Sequence, residues 1–135
     1  MKVLVIDGQG GGLGRQLVKM ISERFPAAEL RAAGTNSTAV SNMLKGGRAQ
    51  GASGENAVLT ACRWADVIVG PIGIVIADAL LGEVTPAMAK AVGESAAIRI
   101  LIPLNRCETL IAGVKEGNTS ALLEDAMEKL AEVLR

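Results

Sequence analysis

The chain has 135 residues, fourteen Lys plus Arg against fourteen Asp plus Glu, two cysteines, one Phe, one Trp, no Tyr and no histidine. That length predicts one domain over 1–135, able to bury about 68% of its unfolded surface. Zero net charge, no basic run and almost no aromatic platform argue against nucleic acid as a partner.

Half of the chain is apolar, and with so few aromatics its core must be Ile, Leu, Val, Ala and Met. Such a core suits a parallel sheet flanked by helices. Cys62 and Cys107 form no C-x-x-C pair and have no histidine to join, so neither a metal site nor a disulfide framework is expected. Met1-Lys2 leads straight into a strand, so no secretory signal is expected. The most apolar stretch, Val67 to Leu81, is too short to span a bilayer and contains Gly70, Pro71, Gly73 and Asp78. The expectation is a cytoplasmic protein that does not enter membranes.

Val3 to Ile6 is a continuous apolar run with the composition of a strand buried on both faces. Asp7 closes it, and Gly8, Gly10, Gly11, Gly12 and Gly14 follow. Leu13, Leu17 and Ile21 then recur at helical spacing. A buried strand that turns through glycines into a helix brings free N–H groups together at the positive end of the helix dipole, where a phosphate is favoured. The predicted phosphate cradle is therefore Gly8, Gln9, Gly10, Gly11, Gly12, Leu13, Gly14 and Arg15. The G-x-G-x-x-G fingerprint fails at Leu13, and a Walker-type loop fails at Gln9, Arg15 and Gln16. The spacing Gly8, Gly12, Gly14 resembles the loop of short-chain dehydrogenases, but without tyrosine their proton donor cannot be carried over. A tight turn that binds nothing is the alternative.

Leu30 to Ala33 reads as a second strand and Gly34-Thr35-Asn36-Ser37 as the loop after it. NAD sites place an acid there to hold ribose hydroxyls, roughly 20 residues past the glycines. Here there is none, which weakens NAD; NADP or another nucleotide remains open. Thr35 and Asn36 can bond a sugar or a second phosphate, or Asn36 can simply cap the next helix. That helix carries Val40, Met43 and Leu44 on one face and ends at Gly46-Gly47. A short third strand is expected between Arg48 and Gly54, then a helix to Trp64 capped by Ser53.

Asp66 to Val69 is the next strand. Its loop, Gly70-Pro71-Ile72-Gly73, can lie against a base or act as a rigid turn. Ile74 to Leu81 has no clear period and fits helix and strand alike. Thr85-Pro86 is a helix start, Ile98 to Ile102 a strand, Pro103 to Arg106 a loop, Leu110 to Val114 a candidate last strand and Asn118 to Leu134 an amphipathic helix. This alternation predicts a single-domain, Rossmann-like, doubly wound and mostly parallel sheet with flanking helices. Its ligand crevice lies beyond the carboxyl ends of the strands.

Without histidine, acid–base chemistry falls to carboxylates, and the candidates are Asp7, Glu55 and Glu83. Asp7 is suited to hold a phosphate-bound metal or, more simply, to accept N–H bonds from its own loop. Three readings follow: a protein binding a small phosphorylated ligand or nucleotide, an enzyme acting on such a ligand, and a non-catalytic regulatory or assembly module. The uncovered run Val67 to Leu81 suggests a homo-oligomer.

Gly8 to Val18, Gly34 to Ser37, Gly54 to Asn56, Gly70 to Glu83 and Thr85 to Ala89 together resemble a family of small bacterial proteins described as a domain of unknown function. The resemblance implies a bacterial cytoplasmic origin and a Rossmann-like fold. It brings no activity and no catalytic residue.

Overall fold

The computed structural model describes residues 1–104, 109–115 and 118–135. Among them are five strands: β1 (Lys2–Asp7), β2 (Glu29–Gly34), β3 (Gln50–Ser53), β4 (Val67–Pro71) and β5 (Ile98–Ile102). Between and after them run α1 (Gly12–Arg24), α2 (Ser37–Leu44), α3 (Glu55–Trp64), α4 (Pro86–Glu94) and α5 (Thr119–Val133), with a 3-10 turn at Ile72–Val75. All four strand pairings are parallel and the order is β3-β2-β1-β4-β5.

The two faces of the sheet follow from the alternation of side chains along β1 and β4. Val3, Val5, Val67 and Val69 pack under α1, α2 and α5, against Leu17, Ile21, Met43, Leu123 and Leu130. Leu4, Ile6 and Ile68 pack on the other side under α3 and α4, against Val58, Cys62, Met88 and Val92. Both faces being covered, these strands read as unbroken apolar runs rather than alternating ones. The chain winds outward from β1 to β3, then returns to lay β4 on the far side of β1. The strand order thus reverses between β1 and β4, the place where open α/β sheets take their ligands. Gly70 permits that approach: a Cβ there would stand 2.4 Å from the Ile6 carbonyl.

Several local expectations change. Ser53 is the last residue of β3, and the N-cap of α3 is Gly54 at φ 102°, a backbone state that suits glycine and that Ser53 could not supply. Ile74 to Leu81 is neither helix nor strand but the end of the 3-10 turn and a tight chain of turns. Most of the apolar run Val67 to Leu81 is covered within the one chain; Ala77, Asp78 and Leu81 are exposed, Leu81 at 97%. Leu110 to Val114 forms turns and coil, with Leu110 on the surface. Leu44, expected inward, is the exposed end of α2. The remaining helix starts are as expected: the Thr85 hydroxyl accepts from the Met88 amide at 3.1 Å with Pro86 following, and the Asn118 side chain accepts from Ala121 at 2.7 Å. Cys107, Asn105 and Arg106 lie outside the described residues.

Candidate functional site

The loop between β1 and α1 has a packed half and an open half. Gly8, Gly11 and Gly14 form the packed half. A Cβ on Gly8 would meet the Thr35 hydroxyl at 2.7 Å and a Leu80 methyl at 2.8 Å. One on Gly11 would stand 2.4 Å from the Ala39 carbonyl, and Gly11 has φ +72° besides. One on Gly14 would meet the Met43 sulfur at 2.5 Å. These glycines are required by the chain's own packing. At Gly10 and Gly12, by contrast, a Cβ would find nothing within 4 Å, and neither residue has a positive φ.

The loop's amides divide the same way. Asp7 accepts from the Gly8 amide through Oδ1 at 2.8 Å and from the Gly14 amide through Oδ2 at 2.7 Å. This is the simpler of the two roles expected of it: the carboxylate ends β1 and ties down the first turn of α1. The Gln9 amide donates to Glu83 Oε1 at 2.8 Å, and the Gly11 amide to the Gly8 carbonyl at 3.0 Å. Arg15 N–H begins the helical ladder on the Gly11 carbonyl. The amides of Gly10, Gly12 and Leu13 have no acceptor among the described residues, and Gly10 and Gly12 are exposed. Five predicted donors (Gly8, Gln9, Gly11, Gly14 and Arg15) are thus already engaged internally, and three, Gly10, Gly12 and Leu13, are open to an outside acceptor.

Two asparagines of the α2 region hold the loop carbonyls. Asn36 caps α2, its Oδ1 accepting from the Ala39 amide at 2.8 Å, while its Nδ2 donates to the Gln9 carbonyl at 3.0 Å and to Glu83 Oε1 at 2.8 Å. Of the two roles posed for Asn36, the cap is made, and the same side chain also holds the loop carbonyl of Gln9. Asn42 Nδ2 donates to the Gly10 carbonyl at 2.9 Å, and its Oδ1 accepts from Arg15 Nη1 at 3.2 Å. Arg15 is therefore exposed on α1 but tethered beside the loop. Asn42 was not foreseen; a polar residue in a helix is ordinary, and only the packing of α2 on α1 places it at Gly10.

Glu83 comes from the loop after β4. Its Oε1 accepts from Thr35 Oγ1 at 2.6 Å as well as from Asn36 and Gln9. The segment that delivers it is folded tightly on itself: Asp78 N–H donates to the Val84 carbonyl at 2.7 Å, and Val84 N–H to Ala79 at 3.1 Å. Asp78, Leu80 and Leu81 have φ of 65°, 56° and 58°, beside Gly82 at 88°. Left-handed backbone costs an L-residue about 1–2 kcal/mol each, so this segment is held against strain by the burial of Ala79, Leu80 and Val84.

The two carboxyls differ in character. Burial pushes Asp7, 6% exposed, up from its ordinary range against the pull of the Gly14 and Gly8 amides, and the Glu83 charge pushes the same way. The Thr35 hydroxyl holds Glu83 below the usual carboxylate range, outweighing its desolvation, with the Gln9 and Asn36 donors adding to it. Both Asp7 oxygens are occupied by backbone, whereas no described residue bonds Glu83 Oε2.

The other expected participants lie apart. Glu55 is exposed in the first turn of α3, beyond edge strand β3, and has no bond to the cluster. Gly70 and Pro71 belong to β4, Ile72 and Gly73 to the 3-10 turn; Ile72 alone of the four is partly exposed. Burial pushes the Cys62 thiol up to about 11, so it is un-ionised near neutrality. No helix among the described residues is long and apolar enough to cross a membrane.

No curated protein matches the chain. Among solved structures it is similar to a dodecameric FMN-dependent UbiX-like decarboxylase from Escherichia coli O157:H7, with 17% identity, a TM-score of 0.46, and 98% of this chain and 76% of that chain covered. A likeness of that size supports no statement about activity. The family described as Domain of unknown function (DUF3842) matches residues 2–135. On that match, over nearly its whole length, the chain belongs to the DUF3842 family.

Proposed function

We propose that this protein binds a small phosphorylated ligand, a nucleotide in the first instance, with phosphate oxygens on the amides of Gly10, Gly12 and Leu13. One observation carries the reading. Gly10 and Gly12 are glycines that neither the backbone conformation nor any neighbouring atom of the chain requires. Glycine in a helix start where nothing internal needs it is accounted for by a group from outside that approaches the backbone closely. The unbonded amides beside them, at the positive end of the thirteen-residue α1, supply the donors. Arg15, tethered by Asn42 one turn away, supplies positive charge. Ile72, partly exposed directly after β4, is available to meet a base.

The enzyme alternative narrows to one acid, because Asp7 is committed to the Gly8 and Gly14 amides and Glu55 lies apart.

Thermal unfolding with NAD, NADP, FAD, ATP, GTP and sugar phosphates tests the binding reading. A ligand at a hundred times its Kd adds about 2.7 kcal/mol of stability. A Cβ at Gly12 meets no described atom within 4 Å, so ligand-free Gly12→Val should melt within a few degrees of the parent while the ligand-induced rise is lost. A panel that moves the melting temperature of neither protein would remove the proposal for those ligands.

A further inference from the structure

We infer that Glu83 is the residue that reads the ribose of the bound nucleotide, accepting hydroxyl hydrogens through Oε2, and that the ligand is one with a free 2′,3′-diol. The inference rests on the phosphate reading above and specifies its ligand class. In dinucleotide-binding sheets an acid at the end of the second strand holds the ribose hydroxyls. Here β2 ends in Gly34-Thr35-Asn36 with no acid, yet a carboxylate stands there all the same, brought by the fold from 47 residues beyond Asn36.

Its setting suits that task. Thr35, Asn36 and the Gln9 amide all donate to Oε1, which fixes the carboxylate and keeps it charged. Oε2 has no partner among the described residues. An ionised carboxylate accepts and cannot donate, so Oε2 is matched to hydroxyls and repels a phosphate. The Gln9 amide that holds Glu83 and the open Gly10 amide belong to consecutive residues, whose Cα atoms are about 3.8 Å apart. The acid and the open amides therefore stand at one loop, with the phosphate on its Gly12 side, away from the carboxylate, and the sugar on Glu83. A 2′-phosphate would bring its charge against Glu83, as the NADP form of a dinucleotide would.

Isothermal titration of the full chain with ADP, 2′-deoxy-ADP, NAD and NADP tests this. The parent should bind ADP roughly tenfold or more tighter than 2′-deoxy-ADP, the usual worth of a hydrogen bond to a charged group, and NAD tighter than NADP. Glu83→Gln keeps an acceptor for Thr35, Asn36 and Gln9, and should bring both ratios to within about twofold of one. If the parent binds ADP and 2′-deoxy-ADP equally and Gly12→Val abolishes both, the ribose role is overturned and the phosphate site stands. If Glu83→Gln tightens all four ligands by the same factor, Glu83 is a competitor for the phosphate donors, and the inference is likewise overturned. If the parent binds none of the four, the inference falls together with the nucleotide reading. Should Glu83→Gln not fold, the parent's own ratios decide.

Discussion

The packed and open halves of the glycine loop lie within seven residues of each other and obey different constraints. Gly8, Gly11 and Gly14 are enforced from inside, by Thr35 and Leu80, by the Ala39 backbone and by Met43. Gly10 and Gly12 are enforced by no described residue. A glycine-rich loop is therefore two signals superposed: some glycines let a helix sit close to its neighbours, and others leave a surface bare. Only the second kind speaks for a ligand. The two carboxylates repeat the contrast. Asp7 is spent on the fold, both oxygens on backbone amides, while Glu83 is anchored through one oxygen and has the other unbonded among the described residues.

The widest separation should come from matched alanine substitutions. Gly11→Ala adds a methyl 2.4 Å from the Ala39 carbonyl at a residue with φ +72°, and should lower stability by about 3–4 kcal/mol in urea unfolding. Gly10→Ala should change it by no more than about 0.5 kcal/mol. Equal losses would erase the division between the halves. Next in size, Asp7→Ala leaves the Gly8 and Gly14 amides without their acceptor and should cost about 2–3 kcal/mol, whereas the ligand-dependent rise in melting temperature should survive in whatever protein folds. Loss of that rise without loss of stability would move Asp7 from the fold to the site.

The smallest effect concerns acid. Glu83 has a folded pKa below its ordinary 4.5. Its contribution to stability is thus complete above about pH 4.5 and is lost as the pH falls through the folded value. Asp7, raised by burial above 3.8, acts oppositely: its charged form is costly when folded, and protonation relieves that cost as the pH falls through its own folded value. The stability gap between the parent and Glu83→Gln should accordingly be constant from pH 7 to pH 5 and shrink below 4.5. A gap independent of pH down to 3 would show that Thr35, Asn36 and Gln9 do not hold the Glu83 carboxylate in solution.

The strands and most helices were legible in the chain because their signals are local. Val3 to Ile6 and Val67 to Val69 are unbroken apolar runs, Ile98 to Ile102 is interrupted only by Arg99, and Thr85-Pro86 is a cap acting on an amide three residues away. The Asp7 bonds were legible too, since an acid closing a strand beside glycines has few other donors in reach. Ser53 and Leu110 to Val114 misled because a cap residue and a short apolar run each fit more than one local state. Ile74 to Leu81 gave no period because its conformation is turn after turn in left-handed backbone, stabilised by burial rather than by propensity. The order of residues was enough for the alternation of buried strands with helices, and with it a parallel sheet and a loop at the end of β1. Which glycines of that loop are structural, and that an acid from beyond β4 stands at the end of β2, emerged only from the packed fold. Both depend on contacts between residues as many as 74 positions apart, and no local spacing records a distance of that kind.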